Sequence, residues 1–289
     1  MDGCVVIDKP AGWTSHDVVA RVRRLLGTRR VGHAGTLDPD ATGVLVVGVG
    51  RATRLLRFAS ASSKVYVGEI ALGVATSTLD AGGEVTERAD MSRVTPAEVR
   101  LAAVSLTGRI EQTPPMVSAV KVGGRRLHEL ARDGVEIDRA ARPVEVRRFD
   151  IFESGSPELY RFLVECSTGT YVRVLAADLG VRLGGVAHLR TLRRVAVGSF
   201  HDVDALSLDQ VSPAMLRPCL DLVRDLPCVE VGDEFVEAIA FGRLLDRSAV
   251  RVAGEGPWAV VGPSGDLVAV CQARGTDRIH PVVVLAPAR

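Results

Sequence analysis

The chain is poor in the residues that build metal centres and disulfide frameworks. Its 289 residues hold five cysteines, at positions 4, 166, 219, 228 and 271, and six histidines. The cysteine number is odd, no two cysteines form a Cys-x-x-Cys pair, and no His-Glu-x-x-His occurs, so neither a disulfide framework nor a metal site is expected. Long apolar runs are missing as well. None approaches the roughly 18 residues that a membrane helix needs, and "CVVI" near the start is too short for a signal-peptide core; the expectation is no membrane contact and a cytoplasmic location. Nucleotide motifs are incomplete. "VVGVGRAT" offers Gly-x-Gly after a strand, but Thr53 stands where a dinucleotide fingerprint needs its third glycine. There is no P-loop, no Gly-x-Ser-x-Gly elbow and no Ser/His/Asp set, which sets aside the common NTPase and serine-hydrolase chemistries.

What remains has the balance of a soluble globular enzyme, 47% hydrophobic and 25% charged with a net charge of +1. The length suits one large domain followed by a small one. Charge is uneven along the chain. Between residues 21 and 57 stand eight arginines, at 21, 23, 24, 29, 30, 51, 54 and 57, against Asp38 and Asp40. Arginine forms bidentate contacts with phosphate, so the stretch is a candidate nucleic-acid footprint; the alternative is a solubilising helix face in a chain with 33 arginines and 3 lysines.

Local patterns place the elements. "CVVIDKPAGWTSHDVVARVRRLLG" reads as a strand, a turn and a helix, with Thr14 and Asp17 spaced as a capping box and Gly27 as its stop. A Gly-rich loop, "VGHAGTLDPDATG", leads into the buried-looking strand "VLVVGV". In "KVYVGEIALGV" the alternation puts Tyr66, Ile70 and Leu72 on one face. Thr95, Pro96 and Glu98 start a helix that is expected to end at Gly108, and "YVRVLAADLG" one that stops at Gly180. Residues 114–143 change composition, with Pro-Pro, Gly-Gly, a basic pair and a short helix signal, and read as an excursion from the core. Irregular alternation of strands and helices gives a mixed α/β or α+β domain over residues 1–221. After a Pro-containing linker, "WAVV", "LVAVCQA" and "PVVVLA" make residues 222–289 a small β-rich module.

The residue with the most open reading is Asp38. It precedes Pro39, which holds its backbone extended, and Gly32, Gly35 and Gly43 allow the chain to pass close to a ligand. On these mechanics it is either a turn-capping residue or a carboxylate that does chemistry. A buried carboxylate there needs a cation to stay ionised.

Five stretches, "DKPAGWTS" (8–15), "GHAGTLDPDATGVL" (32–45), "KVYVGEIALG" (64–73), "CSTGTYVRVLAADLG" (166–180) and "AHLRTLRR" (187–194), together resemble, in order, the motif set of the TruB family of tRNA pseudouridine-55 synthases. The resemblance implies a catalytic domain with a central, mostly antiparallel sheet flanked by helices. It also implies a PUA-like RNA-binding module at 222–289. It implies isomerisation of uridine 55 in the tRNA T-loop by base flipping, without any cofactor. By position, Asp38 matches the catalytic aspartate, Arg173 its ion-pairing arginine and Tyr66 the active-site tyrosine. His33 matches the residue that fills the space left by the flipped nucleotide, and Leu192 a residue lining the uracil pocket. Lys9 and Lys64 are expected to be RNA-contacting or structural. The 114–143 excursion matches an insertion that lies on the tRNA elbow, with Arg125 and Arg126 toward phosphate. tRNA is the expected partner, no obligate protein partner is implied, and a monomer is the default. Two other readings stay in view: a related guide-RNA-dependent synthase that works with protein partners, and a non-catalytic tRNA-binding or folding protein on the same scaffold.

Overall fold

The structure is a computed structural model that describes residues 1–118, 121–135 and 137–285. The larger part of the chain gives, in order, β1 (Gly3–Lys9), α1 (Ser15–Leu25), β2 (Val31–His33), β3 (Thr42–Val49), α2 (Leu56–Ala61), β4 (Lys64–Leu72), β5 (Val74–Thr76), β6 (Val85–Arg88), α3 (Pro96–Ser105), β7 (Gly108–Gln112), β8 (Lys121–Val122), β9 (Arg125–Arg126), α4 (Leu127–Arg132), β10 (Arg142–Ser156), β11 (Leu159–Cys166), α5 (Val172–Arg182), β12 (Ala187–Val197) and β13 (Phe200–His201). Short 3-10 turns follow. Then come β14 (Cys228–Glu230), α6 (Asp233–Ala240), β15 (Leu245–Asp246), β16 (Trp258–Val261), β17 (Leu267–Arg274) and β18 (Arg278–Val284).

The main sheet has the order β1-β3-β12-β4-β11-β10-β7, with β2 added to β3 and β13 to β12. Every pair in it is antiparallel except β3 and β12. These two run parallel over only Arg193–Thr42 and Arg194–Gly43. A second sheet, β14-β16-β17-β18-β15, is formed by the C-terminal part. The architecture is α+β, as the sequence patterns imply.

Capping and turn chemistry explain most boundaries. Thr14 accepts from the Asp17 amide while the Asp17 carboxylate accepts from the Thr14 amide, so α1 starts with two of its orphan donors satisfied. It buries Val18, Val19 and Val22 and stops before Gly27 at φ +61°. Two helix ends differ from expectation. α3 ends at Ser105 rather than Gly108, because Gly108 (φ +87°) already opens β7. α5 runs past Gly180 to Arg182. A side chain at 180 would meet the Ala187 amide nitrogen at 2.4 Å, so this glycine allows helix and strand to touch rather than ending the helix.

The helices α3 and α5 cover one face of the sheet, joining Val99, Ala103, Leu175 and Leu179 to Ile70, Phe162 and Val164. At the other end, β1 and β3 are buried on both faces. Val5, Ile7, Leu45 and Val47 meet α1. Cys4, Val6, Val44 and Val46 share a core with Leu55, Leu56 and the C-terminal residues Ala259, Leu267, Val270 and Val283. The stretch read as a linker is therefore part of the body. Cys4 and Arg217 exchange both backbone hydrogen bonds (3.0 and 2.8 Å), and Leu206 bonds Val6 and Asp8 at 2.9 Å each, which closes the open edge of β1.

The arginine-rich stretch also has an inward role. Arg51, Arg54 and Arg57 donate to the carbonyls of Leu285, Val284 and Val282, and Arg51 also pairs with Asp2 at 2.7 Å. Arg23 donates to the Val31 carbonyl at 2.9 Å. These exposed guanidiniums join the two sheets or brace α1, while the candidate nucleic-acid footprint of the sequence also includes Arg24, Arg29 and Arg30, which are exposed.

Candidate active site

The loop from Ala34 to Ala41 is held at almost every peptide by groups from elsewhere in the chain. Ser15 Oγ accepts from the Leu37 amide (2.9 Å) and donates to the Leu37 carbonyl (3.2 Å). Lys9 Nζ donates to the Pro39 carbonyl at 2.8 Å, and also to Pro10 and Trp13 at 2.9 and 2.6 Å. Arg194 donates to Gly35 (3.1 Å), Thr36 (3.4 Å) and Val44 (2.8 Å). The backbone on both sides of Asp38 is thereby fixed, and its side chain projects from a rigid support.

That side chain meets Arg173 at the start of α5. Arg173 Nε lies 3.0 Å from Asp38 Oδ2, and Nη1 lies 3.3 Å from Asp80 Oδ2. The remaining donors reach the carbonyls of Thr78 (3.0 Å) and Val117 (2.9 Å). The Arg173 side chain is 5% exposed, whereas Asp38 keeps 45% of its surface open to a cavity. A cation shut inside and a carboxylate with one open side is the geometry of a reactive anion held by its counter-ion. Burial of its surroundings raises the Asp38 pKa above the usual carboxylate value, Arg173 pulls it back, and Asp80 pushes it up again.

Asp80 was not singled out in the sequence. A signal was there: "TLD" occurs at 36–38 and again at 78–80, both followed by turn residues. The second turn is braced by Thr78 Oγ1 and the Gly82 amide on Asp80 Oδ1 (2.5 and 3.1 Å). Leu79 sits at φ +63°, an uncommon conformation for a branched side chain, fixed by a bond from the Leu189 amide at 3.0 Å.

The cavity holds about 620 Å³. Its lining includes the charged Asp38, Asp80, Arg173, Arg190 and Arg193 and the apolar Val67, Gly68, Leu189 and Leu192. Leu192 is thus among the residues that line this cavity. Gly68 keeps the floor flat, since a Cβ there would meet the Thr191 carbonyl at 2.1 Å. Tyr66 is 7% exposed, in the core with Leu37 and Ala41. Burial pushes its phenol pKa up, and the Arg194 guanidinium beside it pulls it down.

The other expected residues fall elsewhere. His33 is half-buried on β2 and outside the cavity lining. Its ring meets His16 edge-on at 5.6 Å, and burial lowers its pKa, so it is neutral near pH 7. Lys9 is 0% exposed and engaged by three carbonyls, and Lys64 donates to Ser60 and Ser62 at 2.9 and 2.8 Å. Burial lowers both pKa values to about 8. The RNA-contacting option for these lysines is corrected to the structural one, because their ammonium groups are enclosed by main chain. Arg125 is ion-paired with Asp133 on the surface. The Arg126 side chain lies outside the described residues. Among the described residues, no group of three or more His, Cys, Asp or Glu side chains is placed to hold a metal ion.

Comparison with known proteins adds an independent line. A family model described as "TruB family pseudouridylate synthase (N terminal domain)" matches residues 23–172. "tRNA pseudouridylate synthase B C-terminal domain" matches 173–221 and "tRNA Pseudouridine synthase II, C terminal" matches 226–286. Proteins named tRNA pseudouridine synthase B are similar over nearly the whole chain. The Rhodococcus jostii protein is 47% identical, covering 99% of this chain and 94% of its own. That of Paenarthrobacter aurescens is 44% identical, covering 99% and 96%. That of Geobacillus thermodenitrificans is 42% identical, covering 93% and 94%. Among solved structures, a chain of a Cbf5-Nop10-Gar1 complex aligns with a TM-score of 0.77 at 27% identity, covering 99% of this chain and 85% of that one.

Proposed function

The chain belongs to the TruB family of pseudouridylate synthases, and from that premise we infer that it isomerises uridine 55 of tRNA to pseudouridine with Asp38 as the catalytic carboxylate. The observation that carries the assignment of Asp38 is the ion pair in which Arg173 is enclosed and Asp38 is open to the cavity. The reaction breaks the bond between uracil N1 and ribose C1′, turns the base, and joins C5 to C1′. The C5 proton leaves and N1 gains one, so no outside group or electron is needed.

Each step has a residue suited to it. A uridine must leave its stack to enter a cavity of this size, at a cost of a few kcal/mol. His33, neutral and at the edge of the loop, is the ring assigned to the vacated space. Asp38 meets the ribose side as an anion, for attack at carbon or for removal of the C2′ proton. Arg173 keeps that anion charged and fixes its direction. Asp80 and two carbonyls fix Arg173 in turn, so the guanidinium cannot follow a departing charge. Leu192 and Leu189 offer an apolar wall to the freed base, which limits escape of the uracil during rotation. Tyr66, beneath the loop and outside the cavity lining, is the phenol assigned to proton transfer at the base. The exposed Arg24, Arg29 and Arg30 and the 114–143 segment supply the outer tRNA contacts, and the C-terminal sheet is an accessory RNA-binding unit.

The test is tritium release from tRNA labelled at uracil C5. Wild type should release tritium, and Asp38→Asn should release almost none while binding tRNA with nearly unchanged affinity. Equal release from both would remove Asp38 from the chemistry. Tight binding without release by wild type would favour a tRNA-binding protein, and release only with a guide RNA and added proteins would favour the guide-dependent class.

A further inference from the structure

Three buried cations, Lys9, Lys64 and Arg194, lie behind the Asp38 loop, and the largest of them has no place in the reaction as described. Arg194 is 0% exposed. Arginine is seldom fully buried unless its charge is paired, yet among the described residues it has no carboxylate partner: it donates to main-chain carbonyls, with the Tyr66 phenol alongside. Its position is unusual in three ways at once. In the sheet it is in register with Gly43 on β3 and with Tyr66 on β4. Its guanidinium reaches Gly35 and Thr36, the two residues immediately before Leu37-Asp38 in the loop, whose other side is held by Lys9 at Pro39. The same guanidinium stands beside the Tyr66 hydroxyl and lowers the phenol pKa against the effect of burial.

We propose that Arg194 is a positioning residue for the isomerisation, setting Asp38 and Tyr66 relative to one another by holding the loop of the first and the hydroxyl of the second with a single rigid guanidinium. The two reacting groups come from opposite sides of the β3–β12 junction. Asp38 precedes β3, and Tyr66 belongs to β4 on the far side of β12. The backbones of the two sides are in register at only two residue pairs, with the Asp8–Arg193 ion pair as a further link between them. A planar fork with donors in fixed directions can fix one side against the other, whereas an ammonium on a flexible stem cannot hold three carbonyls and a phenol together. The proposal rests on the catalytic assignment of Asp38 and Tyr66.

The experiment compares Arg194→Lys and Arg194→Met with wild type and Asp38→Asn, using unmodified tRNA labelled at uracil C5. The folded fraction is measured by circular dichroism, tRNA affinity by filter binding, and turnover at saturating tRNA per folded molecule. Displacing a reacting group by about 1 Å costs about 100-fold in rate, so Arg194→Met should lose about that much turnover with affinity within about threefold of wild type, and Arg194→Lys should recover part of the loss. Turnover per folded molecule within twofold of wild type in either variant would overturn the proposal. So would a parallel fall of affinity and turnover, or a lysine variant no better than methionine. If Arg194→Met does not fold, Arg194→Lys decides alone by the same twofold criterion. An inactive wild type would instead sink the activity itself, and activity retained by Asp38→Asn the assignment of Asp38.

Discussion

Asp38 sits between two opposing pulls, and its response to pH follows from them. Burial and Asp80 favour the protonated acid, while Arg173 favours the anion, with a net rise above the ordinary carboxylate range. The working form is the anion, and a raised pKa means that it is lost early as pH falls. The single-turnover rate, measured between pH 4 and 8, should therefore show an acid limb with a midpoint above the ordinary carboxylate range. Replacing Arg173 with Met removes the one strong pull toward the anion, so the limb should move to higher pH and turnover at pH 7 should fall by roughly 100-fold. A limb that stays in place would count against the ion pair as the control on Asp38. The sequence made Asp38 legible only in part. Its turn context, Asp before Pro among glycines, fits a plain cap equally well, and Arg173 lies 135 positions later, so no local pattern joins them. Arg194 was still less visible. Nothing in "LRTLRR" distinguishes the arginine that is enclosed from Arg190 and Arg193, whose side chains reach Glu69 at 3.8 Å and Asp8 at 2.9 Å.

At the scale of elements, the periodic and capped segments could be read directly. The capping boxes at Thr14 and Thr95, the inward face Tyr66-Ile70-Leu72 and the C-terminal strands need only neighbours in the chain to define them. Failures came where a glycine served tertiary contact. Gly180 was read as a helix stop because a stop and a close approach look alike in sequence. Gly43 shows how strongly a single such position can matter. It has φ +99°, and a Cβ there would meet the Arg194 carbonyl oxygen at 2.2 Å, at the parallel junction of β3 and β12. Gly43→Ala combines a conformation disfavoured for L-residues by roughly 1–2 kcal/mol with overpacking of typically about 1–3 kcal/mol. Urea unfolding should show a loss of at least about 2 kcal/mol, with activity lost beyond what the folded fraction explains. Unchanged stability would mean that the junction yields easily and does not hold β3 rigidly against β12.

For the whole molecule, the second sheet is bound to the first by apolar surface and by arginines aimed at its last strand. Arg54 Nη1 lies 2.7 Å from the Val284 carbonyl. A phosphate-binding arginine and a domain-bracing arginine respond differently to substitution. Loss of one phosphate contact lowers the slope of log K against log salt by about one, whereas loss of a charged hydrogen bond to a carbonyl costs stability, about 1.5–3 kcal/mol when buried and less at an exposed site like this one. Arg54→Ala should therefore leave the salt dependence of tRNA binding unchanged in filter-binding titrations and lower the thermal midpoint slightly. A reduced slope would return Arg54 to the RNA interface. Composition could not have told these cases apart, because both use the same side chain and differ only in what lies opposite.

The parallel junction also bears on the order in which the molecule can become competent. Each side of the main sheet is built of antiparallel neighbours: β1, β2 and β3 from residues 3–49, and β4, β11, β10, β7 and β12 from residues 64–197. The two meet through Thr42–Arg193 and Gly43–Arg194, contacts between residues some 150 positions apart, and through the side-chain pairs Asp8–Arg193 and Asp38–Arg173. Closing so long a loop, like forming the equally non-local β4–β12 pairing, is slow relative to pairing strands close in the chain such as β10 and β11. A chain in which both halves have zipped but not yet docked would carry nearly its full spectroscopic signature and have no enzyme in it. Catalysis is then a readout of long-range assembly, and in refolding followed by circular dichroism and tritium release it should return after the secondary structure.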